Sequence, residues 1–158
     1  RKTVNDRKLR GLALAAIRET FEETGLIVGR PASKPATTTH PVWRDYLSNG
    51  AEPPLEHMDF IARAITPAYR TRRFDTRFFM IHDQFICNDP EQISDASGEL
   101  NELHWLTLNE ARQLDLPAVT RWAIDLVEQR IQLNPREQLK QSAPFVRFVK
   151  GQEISIDL

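Results

Sequence analysis

The chain has 158 residues, of which 41% are hydrophobic and 27% charged, and its formal net charge is −1. This is the composition of a single globular domain and excludes a low-complexity or highly charged disordered chain. The near-neutral balance leaves no whole-chain footprint for nucleic acid or an anionic membrane. No apolar run is long enough to span a bilayer, and Cys87, the one cysteine, can form no intrachain disulfide, which fits a reducing compartment.

The chain begins at Arg1, without a methionine and within a run of charges, and is read as a piece whose upstream part is missing. Leu9, Leu12, Ala13, Ala16, Ile17, Thr20 and Phe21 recur at helical spacing and predict an amphipathic helix. Asn5 or Asp6 can cap its start, and Gly25 stands where a left-handed residue ends a helix. Glu19, Glu22 and Glu23 fall at i, i+3 and i+4 and crowd one flank, where each like-charged pair costs a few tenths of a kcal/mol. Glu22 and Glu23 also lie in the last turn, where the helix dipole disfavours anions. A hard divalent cation reverses that cost, because Mg²⁺ takes oxygen ligands and binds through a few carboxylates together with substrate phosphates. Without a cation the same residues read as a solvated acidic helix end.

Ile27, Val28 and Gly29 continue as a short strand or turn. Five prolines then punctuate residues 31–58, a long irregular insertion of the kind that serves as a functional loop. One short helix is expected from Pro41 to Leu47, with Pro41 at its first position and Val42, Trp43, Tyr46 and Leu47 on its apolar side. Trp43 reads as a packed aromatic in preference to a stacking platform. Strands are predicted over Asp59–Thr66 and Thr76–Phe85. Between them Arg70, Arg72, Arg73 and Arg77 could clamp phosphates through bidentate hydrogen bonds. The alternative is a hydrated turn with Arg73 paired to Asp75.

Cys87–Ser97 reads as a loop, and Leu100, Leu103 and Trp105 as the entry to another strand. Thr107-Leu108-Asn109-Glu110 is a capping box opening a short helix. A second helix follows Leu116-Pro117, with Val119, Trp122, Ala123, Leu126, Val127 and Ile131 as its core stripe and Asn134-Pro135 as its stop. Phe145–Val149 and Glu153–Leu158 predict a hairpin turning at Lys150-Gly151. His40, His57, His82 and His104 show no metal-ligand spacing.

Arg18-Glu19-Thr20-Phe21-Glu22-Glu23-Thr24-Gly25-Leu26 resembles the second half of the Nudix box, Arg-Glu-U-x-Glu-Glu-x-Gly-U with U a bulky aliphatic residue. Thr20 replaces one aliphatic position, and Arg10 and Val4 fall where the first glutamate and first glycine of the box would stand. An insertion between the two halves is favoured over a degenerate site, because the three carboxylates are intact. The string from Thr66-Pro67 through Arg73-Phe74-Asp75-Thr76-Arg77-Phe78-Phe79 is similar to a segment of the coenzyme A diphosphatase-like branch of that family.

The resemblance implies an α/β/α sandwich with a mixed sheet, spanning 1–158 as one domain whose early strands lie before Arg1. It implies hydrolysis of a pyrophosphate bond in a nucleoside diphosphate derivative, with Mg²⁺ or Mn²⁺ held by Glu19, Glu22 and Glu23. Arg18 would orient a glutamate, Glu99 (with Glu102 second) would be a further ligand or base, and Arg70, Arg72, Arg73 and Arg77 would contact phosphates. The implied partner is a small nucleotide, coenzyme A or acyl-coenzyme A foremost. ADP-ribose, dinucleoside polyphosphates and capped RNA stay open, although no aromatic–basic platform for single-stranded RNA is present. A cytoplasmic location is expected and a homodimer is compatible. The rival reading is a non-catalytic Nudix-fold module that binds a nucleotide or a protein.

Overall fold

The computed structural model describes residues 6–89, 103–138, 140–149 and 152–158. The chain is mixed α+β, and its contacts divide it into two compact units. The first comprises Arg1–Met58 with Ile81–His104, the second Asp59–Met80 with Trp105–Leu158.

The first unit is built on helix α1, Asp6–Thr24. The expected stripe is its buried ridge: Ala13 and Ile17 are buried and Phe21 packs beside them. Gly25 ends the helix with φ 70°, and its N–H donates to the Phe21 carbonyl at 2.9 Å, the left-handed cap that frees the chain to turn. An alanine there would hold a Cβ in the left-handed region, so Gly25→Ala is expected to lower stability by about 1–2 kcal/mol in urea unfolding. A two-stranded antiparallel ribbon follows, β1 (Arg30–Pro31) with β2 (Ala51–Glu52). Between these strands lies α2, Pro41–Ser48, with Pro41 in its first turn as the sequence suggests. The core of this unit is Ile17, Ile27, Val28, Tyr46 and Ala51, flanked by Phe21, Trp43 and Leu47. Trp43 meets Tyr46 edge-on at 5.3 Å, as a packed aromatic.

The second unit carries a four-stranded mixed sheet in the order β4-β3-β5-β6. Its strands are β3 (Asp59–Ile65), β4 (Asp75–Met80), β5 (Pro144–Val149) and β6 (Gln152–Asp157). Strand β3 pairs antiparallel with β4 and parallel with β5, and β5–β6 is the expected hairpin. Its turn at Lys150-Gly151 lies outside the described residues. The second predicted strand ends five residues early. β3 starts at Asp59, opposite Met80, so residues beyond Met80 have no partner on that strand. Asp83–Phe85 forms a 3₁₀ turn instead.

Helix α3, Leu108–Gln113, opens with the full reciprocal capping box of Thr107 and Glu110. Glu110 receives the Thr107 backbone N–H, which holds its carboxyl below the usual carboxylate range. Helix α4, Ala118–Ile131, packs on β3, and a four-residue helix α5, Pro135–Gln138, follows. The core stripe of α4 is narrower than its sequence suggests: Ala123 is buried, but Val119 and Ile131, at the two ends, are exposed. The strand expected at Leu103–Trp105 does not form, and Trp105 stands 65% exposed. Leu103-His104-Trp105 has the strand alternation but pairs with no strand among the described residues.

Candidate functional site

The carboxylates Glu19, Glu22 and Glu23 occupy the exposed side of α1, away from the Ile17 ridge. That placement follows from the helix: a stripe at 13, 17 and 21 faces inward, and 19, 22 and 23 then share the outer flank. Arg18 stands at the edge of this flank. Its Nε lies 3.3 Å from a Glu22 carboxylate oxygen, and an Nη lies 3.6 Å from Glu19. The Arg18 Nε is itself buried and has no hydrogen-bond partner, so its contact with Glu22 is one of charge at close range without hydrogen-bond alignment. Arg18 and Glu22 thus form an ion pair, without the charge-assisted hydrogen bond expected of Arg18.

The turn after the helix is clamped from far along the chain. The Asn88 amide oxygen accepts the Ile27 N–H at 2.8 Å, and its amide nitrogen donates to the Gly25 carbonyl at 2.9 Å. The Thr24 hydroxyl donates to the Thr20 carbonyl and accepts the Leu26 N–H. Val28 bridges Ile86, with Gly29 N–H donating to Phe85 O and Cys87 N–H to Ile27 O. Asn88 thus positions the glutamate-bearing helix end, and the sequence reading passed over it as a loop residue. A single asparagine 61 positions away gives no periodic signal, and only the fold brings it to the turn.

Carboxylate oxygens are the donor type that a hard divalent ion takes. Among the described residues no three His, Cys, Asp or Glu side chains converge on one point, so these glutamates would have to turn toward a shared ion, Glu22 from beside Arg18. Glu99 and Glu102 lie outside the described residues.

The arginine-rich segment sits in the second unit, in the β3–β4 connection. Thr66 and Phe74 close it: Thr66 N–H donates to Phe74 O, and Phe74 N–H donates to the Thr66 hydroxyl. The Arg73–Asp75 pair of the alternative reading does not form; Asp75 takes other partners. Asp75 accepts two parallel bonds from Arg63 at 2.8 Å each and a third from Arg77 at 3.0 Å. Arg63 comes from the facing strand, where Ile65 lies opposite Asp75, so strand register decides the partner and sequence proximity does not. Arg77 is thereby committed to Asp75, whereas Arg70, Arg72 and Arg73 are exposed on the connection.

The Arg63 guanidinium in particular holds the Asp75 carboxyl below the usual carboxylate range. A carboxylate lowered by folding stabilises the folded state above its unfolded pKa of about 3.9, and that stabilisation is lost as pH falls through the folded value. Asp75→Asn is therefore expected to reduce stability at pH 7. The gap to the wild type should narrow progressively below about pH 4, read by urea midpoints across that range.

The chain matches no family model, no curated protein and no solved structure.

Among the described residues no helix is long and apolar enough to cross a membrane. The charged features that remain as candidates are the acidic flank of α1 in the first unit and the exposed arginines of the β3–β4 connection in the second.

Proposed function

We propose that the chain is a Nudix-type pyrophosphohydrolase that cleaves a nucleoside diphosphate derivative, coenzyme A or an acyl-coenzyme A foremost, with Mg²⁺ or Mn²⁺. The observation that carries the reading is the string Arg18-Glu19-x-x-Glu22-Glu23-x-Gly25 on the last turns of an α-helix. The carboxylates are exposed there, Arg18 lies against Glu22, and Gly25 forms the left-handed stop. Glu19, Glu22 and Glu23 would hold the ion. A bound divalent ion supplies Lewis-acid stabilisation of pyrophosphate oxygens and a water of lowered pKa. Arg18 holds the Glu22 carboxylate in one place through their mutual charge. Glu99, or one of the helix glutamates that is free of the ion, would accept the proton of the attacking water. Arg70, Arg72 and Arg73 are the candidate phosphate contacts left exposed.

A cytoplasmic location and a small-molecule partner belong to the same proposal. A non-catalytic nucleotide- or protein-binding module is the second reading. It is favoured by Arg10 and Val4, which stand where the box's first glutamate and glycine would be.

The test is incubation with coenzyme A, acyl-coenzyme A, ADP-ribose and dinucleoside polyphosphates, with Mg²⁺, with Mn²⁺ and with a chelator, the products being resolved by mass. Cleavage between the two phosphorus atoms that disappears with chelator is the expected result and names the substrate. Absence of metal-dependent cleavage across the panel, with binding detected calorimetrically, would replace the hydrolase by the binding module.

A further inference from the structure

The second unit contains a cavity of about 560 Å³ between the β3–β4 connection, the start of α4 and the face of β3 and β5. We infer that this cavity binds a planar aromatic compound carrying a single oxyanion, a carboxylate or a phosphate. The volume falls within the several hundred Å³ typical of small-molecule sites, which are mostly apolar with a few placed polar groups. The walls have that character. Ile65 and Val146 form the sheet side, and Val119 and Trp122 the helix side.

Two further aromatics, Tyr69 and Phe74, border the cavity from the connection and are 70% and 61% exposed. No aromatic ring pairs with Tyr69, Phe74 or Trp122 among the described residues. Large rings left open to water around a concave apolar space lose hydration-driven stability that a flat ligand would restore.

The polar groups select the charge. Arg70 borders the cavity, and its guanidinium lies 5.8 Å from the Tyr69 ring centre; its side chain makes no hydrogen bond or ion pair among the described residues. Its five N–H donors are thus available, in a fork suited to an oxyanion. Helix α4 starts at this cavity with Pro117, Ala118 and Val119 in the wall and no side-chain cap, so its partial positive charge adds to that of Arg70. Glu153 on β6 also borders the cavity and limits the net positive charge there, which suits one anionic group over several. The Thr66 hydroxyl accepts the Phe74 N–H and retains its own O–H as a donor. The inference does not rest on the helix glutamates, none of which lies in this unit; Arg70 is the one residue it shares with the hydrolase reading.

The experiment is calorimetric titration of the whole chain, in chelator and at low salt, with indole-3-acetate, phenyl phosphate and AMP. Indole and adenosine serve as neutral counterparts. A probe of about fifteen heavy atoms at ordinary ligand efficiency reaches a Kd of about 1 mM. At least one anionic probe is expected to bind at that level or tighter, and its neutral counterpart about tenfold weaker. The better of the carboxylate and phosphate arms identifies the anion.

Arg70→Ala should weaken the anionic probe about tenfold and leave the neutral one within twofold, as expected for one charge-assisted contact. Tyr69→Ala should weaken both alike. Both side chains are exposed, so far-UV circular dichroism should show the fold unchanged. Glu23→Gln should bind every probe as the wild type does. If no anionic probe binds near 1 mM, or if Arg70→Ala and Tyr69→Ala leave affinity unchanged, the inference is overturned, whatever the outcome of the hydrolysis assay.

Discussion

Tyr46→Ala is expected to remove about 3–5 kcal/mol of stability, the range for emptying a large aromatic site in a packed core. Tyr46 is fully buried, and its ring is gripped edge-on by Phe21 at 5.7 Å and Trp43 at 5.3 Å. Its hydroxyl donates to the Val28 carbonyl at 2.7 Å, tying α2 to the segment that leaves the glutamate helix. Burial pushes the hydroxyl far above its ordinary pKa, so it remains a neutral donor throughout the working pH range. Gly29 is moulded around the same atom: a Cβ there would come within 2.9 Å of both the Tyr46 oxygen and Ala51.

Two graded variants separate the contributions. Tyr46→Phe keeps the ring but strands the Val28 carbonyl, for about 1–3 kcal/mol. Gly29→Ala overpacks the site by a similar amount. Urea unfolding with linear extrapolation reads all three. A Tyr46→Ala loss under about 1 kcal/mol would mean that this ring is not the centre of the first unit. Because Tyr46 and Asn88 both act on the segment 25–29, loosening either should also disturb the end of α1, where the candidate carboxylates stand.

The helices were legible because their signals are local. The stripe from Leu9 to Phe21, the stop at Gly25, the proline at position 41 and the Thr107–Glu110 box each specify an element within a few residues, and each forms as expected. Strand ends were less legible because they depend on distant partners. Ile81–Phe85 has strand composition, but β3 begins opposite Met80 and supplies nothing further to pair with. Leu103–Trp105 alternates correctly and still forms no strand.

The site divides in the same way. Arg18, Glu19, Glu22 and Glu23 share a helix, so their spacing in sequence fixes their spacing in space. Asp75 takes Arg63 and Arg77 because of cross-strand register, and Asn88 reaches the Gly25 turn across the fold. Neither contact leaves a trace in local sequence. Arg130 illustrates the same limit within a helix. It is 7% exposed in the α4 stripe and donates to the Ser142 carbonyl, where composition alone would place it in water.

Glu22→Gln and Glu23→Gln are each expected to lower metal-dependent pyrophosphate hydrolysis by on the order of a thousandfold. Under the proposed function each would remove a charged oxygen from the ion or from the proton acceptor, and the latter role alone contributes about a hundred- to ten-thousandfold. Stability should move the other way or not at all. In the absence of metal these carboxylates repel one another at i, i+3 and i+4 and oppose the helix dipole, so neutralising Glu23 should be neutral or stabilising by a few tenths of a kcal/mol, whereas in Glu22→Gln the lost ion pair with Arg18 offsets that gain. That combination of lost activity with unchanged or raised stability is the mark of residues kept for function.

Metal supplies an independent reading of the same site. A ligand that binds only the folded state stabilises it by RT ln(1 + [L]/Kd), about 2.7 kcal/mol at a hundredfold excess over Kd. Added Mg²⁺ should therefore raise the unfolding midpoint of the wild type and raise it less in either glutamine variant. Arg18→Ala lies one step removed: it loses the charge 3.3 Å from Glu22 without removing a carboxylate. Its turnover should fall by about tenfold, in the range for groups that orient a metal's ligands, while KM stays near the wild-type value. Unchanged turnover in both glutamine variants, together with an equal Mg²⁺ response, would remove the end of α1 from the chemistry and leave its three carboxylates as a solvated flank.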